Sequence, residues 1–178
     1  MTEAANPYSA PTARVEDTDA GEAETIRKAH LGHETSVKGA GGLYLLGGTL
    51  MTLGGVAVLF GSSAGGAADA AVSAFVLALG MLQIWAGLKV RALQRGGRTA
   101  GAVLSGLGLL AFPLGTLING YILWLFFSDK GKTVFSDAYK DVIAATPHVK
   151  AKTSIVVWIF LALLLGLLVL GVGAVVLG

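Results

Sequence analysis

Four apolar stretches, separated by polar segments, define the hydrophobic pattern of this chain. Residues 39–60, 70–88 and 154–177 are between 19 and 24 residues long and contain no charged side chain. A helix of about this length crosses a hydrocarbon core of ~30 Å. The fourth stretch, residues 99–127, has 29 uncharged residues. The pattern predicts an all-α, multi-pass membrane protein with three clear spans and a fourth segment that needs its own interpretation.

The length of residues 99–127 suits neither one ordinary span nor two. A single helix would be ~43 Å long, and two legs joined near Pro113 and Gly115 would each reach ~20 Å. Two interpretations are therefore open: a hydrophobic helical hairpin that enters and leaves on one side, or a single tilted, Pro-kinked span. In the hairpin, Pro113 and Gly115 form the turn, and Asn119 is the expected hydrogen-bond partner for backbone groups freed there.

The polar segments predict the remaining organisation. Residues 1–20 contain prolines and show no periodicity, which is typical of a disordered N-terminal tail. Residues 21–38 favour a cytoplasmic or interfacial helix, and residues 39–178 form the transmembrane helical domain. Ser136 as an N-cap and the stop at Pro147 predict a short interfacial helix near 137–145.

The distribution of Lys and Arg favours the hairpin. Four of these residues lie in 1–38, none in 61–69, four in 89–98 and five in 128–153. Positive charge accumulates on the cytoplasmic side of membrane proteins. The hairpin places all thirteen there, with the N-terminus cytoplasmic, whereas a single span divides them eight to five. One cluster is expected to attract anionic lipid headgroups: Lys89, Arg91, Arg95 and Arg98.

Small residues recur in pairs every seven positions along the first span. A seven-residue period keeps such positions on one seam of a helix. In lipid, a seam of glycine lets another helix backbone approach closely. The partner is either another helix of the same chain or a second copy of it, and the sequence leaves both open. The predicted helix-packing residues are Gly41, Gly47, Gly48, Gly54 and Gly55.

Composition excludes several classes of function. Charged residues make up 13% of the chain, about half the usual share of a soluble domain. A net charge of +2 without a basic stripe argues against nucleic acid, and the absence of cysteine excludes thiolate chemistry. No Asp, Glu, Lys, Arg or His lies inside the four apolar stretches, which disfavours proton relays and transport. We expect the chain to have no enzymatic activity, no cofactor and no metal site. His30, His33 and His148 are interpreted as surface residues.

The run PLGTLINGYILWLFFSDKG and the downstream VFSDAYKDVIAATPH resemble a pattern in small bacterial polytopic membrane proteins of unknown function. There, too, a Pro-x-Gly-Thr turn precedes a Tyr-x-Leu-Trp leg. The resemblance covers residues 85–155. It implies a bacterial inner-membrane protein, and it implies no activity and no functional residue.

These observations predict a non-enzymatic membrane protein that acts as a helix-packing or assembly subunit, either by self-association or within a larger membrane complex. Its partners would be the lipid bilayer and other membrane subunits. The alternative is an oligomeric channel or pore lined by glycine backbone together with Thr49, Thr52 and Asn119.

Overall fold

The structure, a computed structural model, describes residues 15–61, 66–151 and residue 166. Over these residues the chain forms helices joined by turns, so the predicted all-α class is confirmed. The predicted span at 154–177 lies outside the described residues except for residue 166, and so do residues 1–14 of the predicted tail. The helices are α1 (Val15–Gly61), α2 (Ala67–Arg91), α3 (Arg95–Gly108), α4 (Leu114–Phe127), α5 (Asp129–Val134) and α6 (Asp137–Ala145).

Helix α1 is continuous through the boundary that the sequence predicted near residue 38. Its 47 residues correspond to ~70 Å of helix, and it begins at Val15, inside the segment predicted to be a tail. The separate interfacial helix at 21–38 and the first span are therefore one element. The physical reason is that no proline interrupts residues 15–61, and glycine in a helix costs only ~1 kcal/mol relative to alanine.

Helices α1 and α2 pack antiparallel along the apolar half of α1. Early positions of this half meet the end of α2, and late positions meet its beginning: Gly41 lies beside Gly87, Gly48 beside Gly80, and Gly55 beside Leu77. After α2 the chain turns at the buried Leu93, which has a φ of 53°. A left-handed residue at the end of a helix allows the sharp reversal into α3.

Residues 99–127 fold as two antiparallel helices and not as one kinked helix. The start of α3 lies against the end of α4, with Gly101 beside Phe126, and its end lies against the start of α4, with Gly108 beside Asn119. The hydroxyl of Thr116 donates a hydrogen bond of 2.6 Å to the carbonyl of Leu109, which closes the turn. Helices α3 and α4 have 14 residues each, which corresponds to ~21 Å per helix.

The predicted helix near 137–145 is present as α6. Ser136 caps it by accepting a hydrogen bond of 3.2 Å from the backbone N–H of Tyr139. The prediction placed the apolar side of this helix on a membrane surface, but in the structure that side packs against α1, with Tyr139 1% exposed. The polar half of α1, residues 20–38, together with α5 and α6 forms a unit that we call the cap.

Exposed and buried hydrophobic side chains occupy different parts of the molecule. Among the described residues, every large hydrophobic side chain that is exposed lies within residues 43–60, 72–88 or 103–127. The buried core instead joins the cap to the adjoining ends of α1, α2, α3 and α4. Two helices, over Ala20–Phe60 and Ala67–Arg91, are long and apolar enough to cross a membrane. Only 17% and 22% of their most apolar windows are buried, so neither resembles the core helix of a soluble protein.

Candidate functional site

Four of the five predicted seam glycines face α2 of the same chain, and at three of them an added Cβ would lie less than 3.0 Å from an atom of α2. A Cβ added at Gly48 would lie 2.6 Å from the carbonyl oxygen of Gly80, and one at Gly41 would lie 2.9 Å from that of Gly87. At Gly55 the nearest atom would be the Cγ of Leu77, also at 2.9 Å. A Cβ at Gly47 would meet only the side chain of Gln83, at 3.3 Å, and one at Gly54 would meet nothing within 4 Å. The close backbone approach predicted by the seam is therefore made within one chain.

The predicted turn residues come together, but their roles differ in part from the prediction. Pro113 is the residue immediately before α4, and a Cβ at Gly115 would collide with the side chain of Ala111. Asn119 was expected to bond the backbone of the turn, and its amide donates 2.8 Å to the carbonyl of Gly115. Gly115 itself lies in the first turn of α4, and the Asn119 side chain fills the space beside Gly108. Thr116 makes the hydrogen bond across the turn.

The predicted headgroup cluster divides into two pairs. Lys89 lies over the ring of Trp85 at 6.0 Å, and the stem of Arg91 packs against Gly41 on α1. Arg95 forms an ion pair of 3.1 Å with Asp137, and the guanidinium of Arg98 lies over the ring of Phe127 at 5.3 Å. The first pair, Lys89 and Arg91, therefore contacts residues of α2 and α1. The second pair, Arg95 and Arg98, contacts the end of α4 and the cap.

Arg95 and Arg98 line a cavity of about 730 Å³ between the start of α3, the end of α4 and the cap. Lys132 contributes a third cation from α5, and Ser136 contributes a hydroxyl. Its apolar wall includes Val103 and Phe127, whose exposed fractions are 59% and 57%. We call this cavity the basic cleft. Lys132 was not predicted as part of this cluster, because only the tertiary fold brings α5 to the same cavity as the start of α3.

A buried ionic network inside the cap joins α1 to α6. The carboxylate of Glu34 accepts a hydrogen bond of 3.0 Å from the hydroxyl of Tyr139 and lies 3.6 Å from the Nε of Arg27. Lys38 reaches the same carboxylate at 2.5 Å from the solvent side. The side chains of Arg27 and Glu34 are only 9% and 4% exposed. Burial, reinforced by the negative charge of Glu34, raises the pKa of the Tyr139 hydroxyl.

Arg27 also ties α1 to the end of α6. Its Nη1 donates to the hydroxyl of Thr146 at 3.1 Å, to the carbonyl of Ile143 at 3.3 Å and to the carbonyl of Thr146. Neither Arg27 nor Glu34 was predicted to have a role. The sequence feature that could have indicated one is the period of the seam, because residues 27, 34, 41, 48 and 55 are spaced by seven and lie on the same side of α1.

The three histidines lie in different surroundings. His33 is within 2.9 Å of the carbonyl of Leu125, His30 is within 2.9 Å of the carbonyl of Ile26, and His148 lies 3.6 Å from Glu24. Within residues 15–61 and 66–151, no three His, Asp or Glu side chains are grouped in a way that could hold a metal ion.

No protein-family model, curated protein or solved structure matches this chain. The resemblance to small bacterial polytopic membrane proteins therefore stays a prediction.

Proposed function

We propose that the chain is a non-enzymatic, multi-pass protein of the bacterial inner membrane that acts as a helix-packing or assembly subunit. It would associate with copies of itself or with the helices of a larger membrane complex, with its N-terminus and its cap in the cytoplasm. The observation that carries the proposal is the exposed hydrophobic surface of α1, α2, α3 and α4.

So many exposed large hydrophobic side chains on four neighbouring helices are unusual for a soluble monomer. Phe60, Leu110 and Phe112 are more than 80% exposed, and many further large side chains on the same four helices are at least one third exposed. Contiguous apolar patches on soluble proteins rarely exceed a few hundred Å². Lipid tails and partner helices are the two environments that would shield such a surface from water, which is energetically favourable.

The cap supports a one-sided arrangement in the membrane. Tyr139 of α6 donates to Glu34 of α1, so the chain after α4 lies beside the polar half of α1. If α1 and α2 cross the bilayer, then α3 and α4 must enter and return on the side of the cap. Their length of ~21 Å each, against ~30 Å for a hydrocarbon core, suits a re-entrant hairpin.

The polar groups of the apolar helices support packing over conduction. Thr52 donates to the carbonyl of Gly48 at 2.8 Å and contacts α2 beside Gly80. Asn119 donates within α4 and contacts α3. Both residues were candidates for lining a pore, and both face neighbouring helices of the same chain, whereas the third candidate, Thr49, is exposed. We therefore favour an assembly subunit over the alternative of an oligomeric channel.

Disulfide crosslinking in native membranes tests the assembly role. The chain has no cysteine, so Leu53→Cys, Phe75→Cys and Leu117→Cys each place one thiol on the exposed surface of a different apolar helix. We expect an oxidant to produce a covalent dimer, or a covalent adduct with another membrane protein, from at least one variant.

The control for this experiment is Ala86→Cys, whose position on α2 is fully buried and should not crosslink. Absence of adducts from all three exposed positions, together with a monomeric mass in mild detergent, would contradict the assembly role. A ring of four or more subunits that conducts ions in liposomes would instead favour the channel.

A further inference from the structure

We propose that the basic cleft binds the phosphate of an anionic phospholipid, with the acyl chains lying along Val103 and Phe127. The proposal rests on the membrane placement argued above. It goes beyond the general attraction expected of a basic cluster, because it assigns one site, made by residues of α3, α4 and the cap.

The cations of the cleft are arranged to receive an anion. Arg95, Arg98 and Lys132 approach the cavity from two helices that are far apart in the sequence. The Nε of Arg98 is buried and has no hydrogen-bond partner, although a buried N–H of a guanidinium normally has one. The ring of Phe127 below the guanidinium fixes its orientation. Since this atom is shielded from solvent, the donors to a phosphate in the cleft would be the terminal N–H groups of Arg98 together with Arg95 and Lys132.

Two of the three cations of the cleft, Arg95 and Lys132, have carboxylate partners, but these ion pairs are weak. Asp137 pairs with both Arg95 and Lys140, and Asp129 pairs with Lys132. These pairs are on the surface, with the side chains of Asp137 and Asp129 65% and 97% exposed, where an ion pair contributes little free energy. A phosphate can therefore displace either carboxylate. Its oxygens can then accept two parallel hydrogen bonds from an arginine guanidinium.

The apolar wall favours a lipid over free phosphate as the source of the anion. Val103 and Phe127 belong both to the cleft and to the exposed surface of α3 and α4. The cations thus lie at the polar end of the surface that we place in lipid, where a headgroup would meet them while its acyl chains stay in the bilayer. A volume of about 730 Å³ is within the range of ligand sites, ~300–1,000 Å³.

Native mass spectrometry of the full chain in mild detergent tests the site, with phosphatidylglycerol as the probe. Phosphatidylcholine and inorganic phosphate are the comparison ligands. We expect Lys132→Gln to weaken phosphatidylglycerol binding about fivefold, which corresponds to ~1 kcal/mol per basic charge near a membrane surface. Lys132→Arg should retain binding, and Arg98→Gln should weaken it by at least as much as Lys132→Gln.

Lys130→Gln is the matched control, because Lys130 is on the same short helix and does not line the cleft. Its binding should equal that of the unmodified chain. Unchanged melting temperatures would show that the variants are folded; Lys132 is 59% exposed, so its replacement should leave the fold intact.

Equal losses in Lys130→Gln and Lys132→Gln, or equal binding of phosphatidylcholine and phosphatidylglycerol, would overturn the proposal in favour of diffuse attraction. Inorganic phosphate that displaces the lipid at similar concentrations would overturn the lipid as the source of the anion. These outcomes are measured on single chains in detergent, so they are independent of the crosslinking result that tests assembly.

Discussion

Replacing Gly48 with alanine should force α1 away from α2 and destabilise the protein by about 1–3 kcal/mol, the usual cost of overpacking. The added Cβ would lie 2.6 Å from the carbonyl oxygen of Gly80 and 2.8 Å from the backbone nitrogen of Ile84. Both are main-chain atoms of α2, so no side-chain rotation relieves the clash. The helices would have to separate along the part of their interface where they approach most closely.

Gly54→Ala is the matched control for Gly48→Ala. It adds the same methyl group to the same helix, but nothing lies within 4 Å of the new atom, so its melting temperature should not fall. Thermal unfolding of both variants in one detergent, followed by circular dichroism, makes the comparison. Equal melting temperatures for the two variants would contradict the packing of α1 against α2.

Replacing Glu34 with alanine should have the largest effect in the cap, about 3–5 kcal/mol, because removal of one member of a buried ion pair leaves the other uncompensated. Arg27, whose side chain is 9% exposed, would lose its counterion, and the hydroxyl of Tyr139 would lose its acceptor. The contact between α1 and α6 would weaken first. Limited proteolysis should therefore cut residues 128–150 much faster in this variant.

Glu24→Ala is the control for Glu34→Ala, because it removes a glutamate from the same helix outside the buried network. Glu24 pairs at 2.6 Å with Lys28 on the same helix and lies 3.6 Å from the exposed His148. Ion pairs that are open to solvent in this way contribute little. We expect no measurable change in stability or in proteolysis. A loss of stability equal to that of Glu34→Ala would contradict the claim that the buried network at Glu34 holds α6 against α1.

The elements with local signals could be predicted from the sequence. Ser136 and Pro147 gave the bounds of α6, and the glycine period gave the face of α1 that packs most closely. The charge distribution favoured two legs over one in residues 99–127, although their length suited neither interpretation, and the structure contains two antiparallel helices there. The membrane position of these elements stays a prediction.

The remainder depends on tertiary contacts that no local pattern shows. Arg27 and Glu34 share the heptad position of the seam glycines, but nothing in the sequence shows that α6 covers them. The apolar side of α6 could face either a membrane or another helix, and its pattern is the same in both cases. Lys132 joins Arg98 only because α4 brings the chain back beside α3.

Cysteine accessibility in intact cells tests the central claim, that α3 and α4 form a hairpin returning the chain to the side on which α1 begins. Ala29→Cys and Asp141→Cys place exposed thiols on the two parts of the cap, and Asp69→Cys places one at the start of α2. With a membrane-impermeant maleimide, Asp69→Cys should react from outside, while Ala29→Cys and Asp141→Cys should react only after permeabilisation. Labelling of Ala29→Cys and Asp141→Cys from opposite sides of the membrane would contradict the hairpin.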